Sequence, residues 1–148
     1  MKPLRVLLFF NNLRGVNVLK FLLKKKDICV ENIYLSRKNL NAGIIKGFKK
    51  KKILYQIIKK QDLNNIANTI KKKNIDLNLV CGFPYILKRS LFNAPKYGTL
   101  NLHAGCLPKY RGGSPLNWQI INGEKKIGIS VIKINNKIDG GPVIAEKF

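Results

Sequence analysis

Leu4-Arg5-Val6-Leu7-Leu8-Phe9-Phe10, stopped by Asn11-Asn12, is a strand too uniformly apolar to keep one face in water. A strand of that kind is covered on both sides, as in parallel sheets flanked by helices. The next residues agree. Val16, Leu19, Leu22 and Leu23 recur at helical spacing, and Lys24, Lys25 and Lys26 put positive charge at the C-terminus of that helix. Residues 30–35 form the following strand, which completes a β-α-β unit. Leu63, Ile66, Ala67 and Ile70 make an i, i+3, i+4, i+7 stripe, with Asp62 to cap or charge its start and Lys71, Lys72 and Lys73 at its end. Further strands are expected at 53–58, 77–80, 98–102, 127–134 and 143–148, the last two joined by a turn at Asp139 and antiparallel. Ser114-Pro115 has the form of a helix opening, a capping hydroxyl before a first-turn proline, and Asn122-Gly123 that of its end. Residues 39–52, with Gly43, Gly47 and four successive lysines, read as a loop or a poor, solvated helix. The fold class is α/β: a three-layer, Rossmann-like domain with a mostly parallel sheet and antiparallel strands towards the C-terminus.

At 148 residues the chain has room for one domain with a real core. Its formal charge of +22 has two readings. One is an anionic partner, such as a nucleic acid or a nucleotide-linked substrate. The other is compositional, because Lys heavily outnumbers Arg and the chain is also rich in Asn and Ile. Cys29, Cys81 and Cys106 form no C-x-x-C and sit in or beside apolar runs, as free thiols of a reducing compartment would. With a single histidine they make a poor zinc set, so no metal is expected. The first ten residues lack the length and cleavage site of a signal peptide, and no stretch reaches membrane-spanning length; the expected location is cytoplasmic. Nothing in the sequence indicates an oligomeric state.

Asn11-Asn12-Leu13-Arg14-Gly15 after the first strand is neither a G-x-G-x-x-G turn nor a Walker loop, which argues against a dinucleotide or ATP site there. No G-x-S-x-G occurs, and a Cys106–His103 nucleophile has only closeness in sequence behind it. The stronger constellation is Asn101, His103 and Asp139. Asn101 and His103 are two apart on a strand and face the same way. Pro108, Gly112 and Gly113 shape the loop behind them, and Asp139 lies in the turn Ile138-Asp139-Gly140-Gly141. An amide, an imidazole and a carboxylate supply an oxyanion donor, a proton carrier and an orienting charge.

The stretch from Asn101 to Trp118, NLHAGCLPKYRGGSPLNW, resembles the signature of the folate-dependent formyltransferases. The resemblance extends to Gly82-Phe83-Pro84-Tyr85-Ile86-Leu87 and through Ile127-Gly128-Ile129-Ser130 to Gly141, while the first half agrees only in pattern. It implies a single formyltransferase catalytic domain, residues 1–148, C-terminally incomplete or unusually small. It also implies 10-formyltetrahydrofolate as formyl donor and Asn101, His103 and Asp139 as catalytic residues. Phe83, Pro84, Tyr85, Ile86, Leu87, Ile138 and Gly140 would contact the folate, and Lys109 and Arg111 would meet acceptor phosphate or the folate glutamate. Many relatives carry Ser-Leu-Leu-Pro where this chain has Gly105-Cys106-Leu107-Pro108, which removes a hydroxyl beside the histidine.

The implied function is transfer of a formyl group to the amine of a nucleotide-linked amino sugar, the branch that Pro115-Leu116-Asn117-Trp118 and Ile120-Ile121-Asn122-Gly123-Glu124 resemble most. The methionyl-tRNA branch, to which the charge is suited, is the alternative. Two others are a hydrolase releasing formate from the same folate and an inactive, basic RNA-binding domain.

Overall fold

β1 (Leu4–Phe10) is the central strand of a parallel sheet in a computed structural model that describes residues 2–148, and Val6 to Phe10 are at most 1% exposed. β2 (Ile28–Ser36) and β4 (Leu77–Cys81) flank it, and β3 (Gln56–Ile58) lies outside β2, giving the order β3-β2-β1-β4. The near-complete burial of Val6 to Phe10, whose side chains alternate between the two faces, means that both faces of β1 are covered, as its sequence demands.

The helices are α1 (Leu13–Leu22), α2 (Ala42–Lys50), α3 (Leu63–Lys72) and the single turn α4 (Arg89–Phe92). The β1-α1-β2 and β2-α2-β3 crossovers move one way across the sheet, whereas β3-α3-β4 returns over it. With right-handed crossovers throughout, α3 must lie on the face opposite α1 and α2. Accordingly α1 and α2 share an apolar groove, and α3 packs with α4. This part of the chain, which ends at Thr99, is one compact unit. The second unit, Leu100–Phe148, holds β5 (Thr99–His103, which begins at the boundary), α5 (Pro115–Ile121), β6 (Ile129–Lys133) and β7 (Val143–Lys147). There β6 pairs antiparallel with both β5 and β7. The chain is α/β in the expected sense, parallel first and antiparallel towards its end.

Asn11 and Asn12 do structural work. The Asn11 amide exchanges hydrogen bonds with the backbone of Ser36, at 2.6 and 2.9 Å, and the Asn12 side chain caps α1 by accepting from Gly15 N–H. Gly15 is required for space: a Cβ there would stand 2.2 Å from Cγ of the fully buried Phe10. Gly15→Ala is expected to cost about 1–3 kcal/mol by overpacking, despite alanine's better helix propensity. Urea unfolding measures this, and a stabilised variant would contradict it.

Several local expectations need correction. Residues 39–52 contain a true helix, α2, because Asn41 caps it through Ile44 N–H and Ile44 and Phe48 bury one side. The strand expected at 53–58 shortens to Gln56–Ile58. Asp62 does not cap α3; its carboxylate accepts from Lys59 N–H and closes a 3-10 turn, Lys60–Asp62, that leads into the helix. Ser114 has a left-handed backbone, φ 53°, and its hydroxyl makes no capping bond to α5. Pro115 alone carries that opening. α4 is too short to leave a periodic signal and was not anticipated.

Candidate active site

Within the second unit, β5 sends Asn101 and His103 to one side, two residues apart, and the turn before β7 brings Asp139 to them. Oδ1 of Asp139 accepts from the Asn101 amide at 3.3 Å and Oδ2 from Gly112 N–H at 3.0 Å. Nδ1 of His103 lies 3.5 Å from Oδ2. Two N–H donors and the imidazole thus converge on one carboxylate, and the carboxylate and imidazole side chains keep only 15% and 6% of their surface. Charge–dipole interactions in such a shielded place are stronger than in water.

The other imidazole nitrogen, Nε2, meets the carbonyl of Tyr110. A carbonyl can only accept, so the proton is assigned to Nε2, which leaves the Nδ1 lone pair towards Asp139. The Asn101 amide has two N–H groups and spends one on Asp139. Its second is available to an oxygen that becomes negative.

The loop behind the histidine is tied down at several points. Tyr110 N–H donates to Cys106 C=O, and the Tyr110 hydroxyl reaches Glu124, which also pairs with Lys109. Those two hydrogen bonds, Lys109 first, hold the Glu124 carboxyl below its usual range. Gln119, fully buried, donates to Ala104 C=O at 3.0 Å and accepts from Gly128 N–H at 2.8 Å. Ser130, paired in register with His103, donates to Gly105 C=O. Gly112 has φ +87°, a conformation that suits glycine, and this aims its N–H at Asp139. Gln119, Ser130, Tyr110, Gly112 and Glu124 therefore hold the trio, and of these sequence reading gave only Gly112 a part, as a shaper of the loop. Ser130 carried a usable signal, since an antiparallel 99–103/129–133 pair places it beside His103.

Cys29, Cys81 and Cys106 are all free. Burial and the neighbouring Glu146 push the Cys106 thiol up, and the His103 ring is bonded through Nε2 to Tyr110 C=O and faces Asp139 with Nδ1. Neither condition favours a thiolate nucleophile. Cys106→Ser should keep catalytic turnover within about threefold; a loss of a hundredfold would restore the thiol to the chemistry.

Of the cationic residues, Lys109 is engaged with Glu124, whereas Arg111 makes no ion pair among the described residues. Together with Tyr110, Pro115, Trp118 and Asn122 they line a shallow depression of about 270 Å³. Ile138 is 64% exposed at the tip of the Asp139 turn, and Gly140 N–H donates to Lys137 C=O. In the first unit, Phe83 packs edge-on against Phe9 and Tyr85, Pro84 and Tyr85 are half-buried, Leu87 is buried and Ile86 is 73% exposed. Among the described residues no cluster of His, Cys, Asp or Glu could hold a metal ion, and no helix is long and apolar enough to cross a membrane.

A sequence profile described as formyl transferase matches residues 19–148. Methionyl-tRNA formyltransferase of Clostridium beijerinckii is 41% identical over 98 residues, which are 66% of this chain and 32% of that protein. The matched stretch is thus about a third of the relative's length. Among solved structures, glycinamide ribonucleotide transformylase 1 of Geobacillus kaustophilus superposes with a TM-score of 0.79 at 21% identity, covering 99% of this chain and 81% of the other. A formyltetrahydrofolate deformylase of Pseudomonas syringae pv. tomato gives 0.80 at 15% identity, covering 99% and 51%. These two likenesses concern the fold alone, which transferase and deformylase share.

Proposed function

The chain belongs to the formyl transferase family, and on that premise we propose that it transfers the formyl group of 10-formyltetrahydrofolate to the amino group of methionyl-tRNA. The observation that carries the chemistry is the convergence of Asn101, His103 and Gly112 N–H on the Asp139 carboxylate. The acceptor is chosen on the relatives: the sequence resemblance to the amino-sugar branch rests on nine residues, whereas the match to a methionyl-tRNA formyltransferase runs over 98.

The folate supplies an activated formyl carbon, and this chain's residues handle charge and protons around it. The free N–H of Asn101 donates to the formyl oxygen as it gains charge. His103 Nδ1, with Asp139 behind it, takes the surplus proton of the attacking amine and returns one to the departing nitrogen. The Nε2–H bond to Tyr110 C=O keeps the ring from turning. Asp139 balances the charge on the imidazole. In the second unit Ile138 and Gly140 are assigned to the folate, the exposed Ile138 offering an apolar surface. In the first, Phe83, Pro84, Tyr85, Ile86 and Leu87 are assigned to it, with exposed Ile86 as the contact and buried Leu87 as support. Arg111, free of a protein carboxylate, is assigned to acceptor phosphate; Lys109 would serve only by leaving Glu124. Three free thiols suit work in the cytoplasm.

The test incubates the protein with 10-formyltetrahydrofolate and, separately, methionyl-tRNA, a nucleotide-linked amino sugar and no acceptor. Formylmethionyl-tRNA is the expected product. Formyl uptake by the sugar alone would move the enzyme to that branch, and acceptor-independent formate release would make it a hydrolase.

A further inference from the structure

We propose that the N-terminal edge of the first unit's parallel sheet is a docking surface for an RNA backbone. In a parallel sheet every crossover helix returns the chain to the edge where strands begin. In this unit each return is lysine-rich: Lys24, Lys25 and Lys26 precede β2, Lys49, Lys50, Lys51 and Lys52 precede β3, and Lys71, Lys72 and Lys73 precede β4. Lys2 stands before β1, and Lys96 joins the same edge through its N–H bond to Ile75 C=O. With strand order β3-β2-β1-β4, runs far apart in sequence become neighbours across about 15 Å, three strand spacings.

All of these lysines are exposed, and among the described residues none is paired with a carboxylate. Of the acidic groups at the edge, Glu31 is paired with Arg5, while Asp76, whose hydrogen bond from Arg5 N–H cancels no charge, and Asp27 stand against twelve lysines. The edge is therefore cationic after local pairing, and a surplus of this kind attracts phosphodiesters.

Two further features favour RNA. Phe21 and Tyr97 are 58% and 50% exposed, and Lys25 and Lys96 sit over their rings at 4.8 and 4.9 Å. Exposed rings beside cations are the elements of a base-stacking, phosphate-tracking surface. Between the end of α3 and the approach to β5 there is also a concavity of about 430 Å³, bordered by Lys71, Asn74, Asp76 and Lys96. An anionic membrane would instead engage the lysines with exposed Leu23 and Leu54, and the test separates the two.

This inference extends the RNA-acceptor reading above and is tested without catalysis. The full chain is titrated with an unacylated tRNA transcript across a salt series, and with vesicles of three parts phosphatidylcholine to one of phosphatidylserine. Two edge variants, Lys24→Gln/Lys25→Gln/Lys26→Gln and Lys71→Gln/Lys72→Gln/Lys73→Gln, are compared with Lys125→Gln/Lys126→Gln/Lys147→Gln, which removes the same charge elsewhere. Each edge variant should weaken tRNA binding about tenfold near 0.15 M salt and flatten the salt slope by about 2, the control losing under about threefold. Equal losses in the control would mean general charge and overturn the proposal. So would tighter binding to vesicles than to tRNA with the same sensitivity to the edge lysines. Edge variants that bind normally while the native chain formylates methionyl-tRNA would reject the edge alone. Edge-dependent RNA binding without formylation of methionyl-tRNA would reject the acceptor and leave the edge standing.

Discussion

His103→Ala is expected to lower formyl transfer by about 10²–10⁴-fold, the range that removal of a positioned acid–base group commonly costs, while folate affinity changes little. The ring takes no part in assigned folate contacts, and its loss removes the proton carrier between Asp139 and the amine. The residue is 95% buried, and alanine leaves the Tyr110 carbonyl without its donor, a penalty of about 1–3 kcal/mol in stability. A second variant separates folding from chemistry. His103→Gln can still donate an amide N–H towards Tyr110 but cannot carry a proton at neutral pH. It should melt close to the native protein and be nearly as inactive as alanine. Turnover within about threefold of native for the folded glutamine variant would remove His103 from the reaction.

The positions that could be read in advance had a local cause. β1 announces itself because a central parallel strand must be apolar on both faces, and Leu4–Phe10 is the range the structure has. The stripe of Leu63, Ile66, Ala67 and Ile70 is the buried face of α3, since 3.6-residue spacing leaves little else for it to be. Asn101 and His103 were legible as a pair because strand geometry puts alternate side chains on one side. Asp139 stood out as a carboxylate in a glycine turn, the resemblance grouped it with them, and the structure adds the contacts. Caps failed where they depended on backbone that a sequence does not state. Ser114 is left-handed, and Asp62 serves the turn before the helix instead of the helix itself. Gln119 shows the deeper difficulty. A polar residue on a helix with exposed Trp118, Ile120 and Ile121 reads as surface, yet it is the fully buried one, because it supplies a donor and an acceptor that Ala104 and Gly128 lack. Buried polar positions are chosen by partners distant in sequence, and periodicity carries no trace of them. The lysine-rich edge is similar: each run looks like a solvated helix end, and only the strand order places them together.

Asp139→Asn isolates charge from shape more cleanly than any other substitution at this site. Asp139 has φ 43°, a left-handed backbone that asparagine tolerates, whereas alanine adds about 1–2 kcal/mol of strain. The asparagine side-chain oxygen can still accept from one neighbour. Its NH₂, however, must face another donor, Gly112 N–H or the Asn101 amide, where the carboxylate faced both as an acceptor. The imidazole loses the negative charge that balances it when the amine's proton arrives. Transfer should therefore fall by about 10²-fold or more, almost all of it in kcat, because neither substrate's binding depends on that charge. A rise confined to KM would mean that Asp139 orients the acceptor and does not manage its proton. An unchanged kcat would leave Asn101 and His103 to carry the reaction without a partner carboxylate.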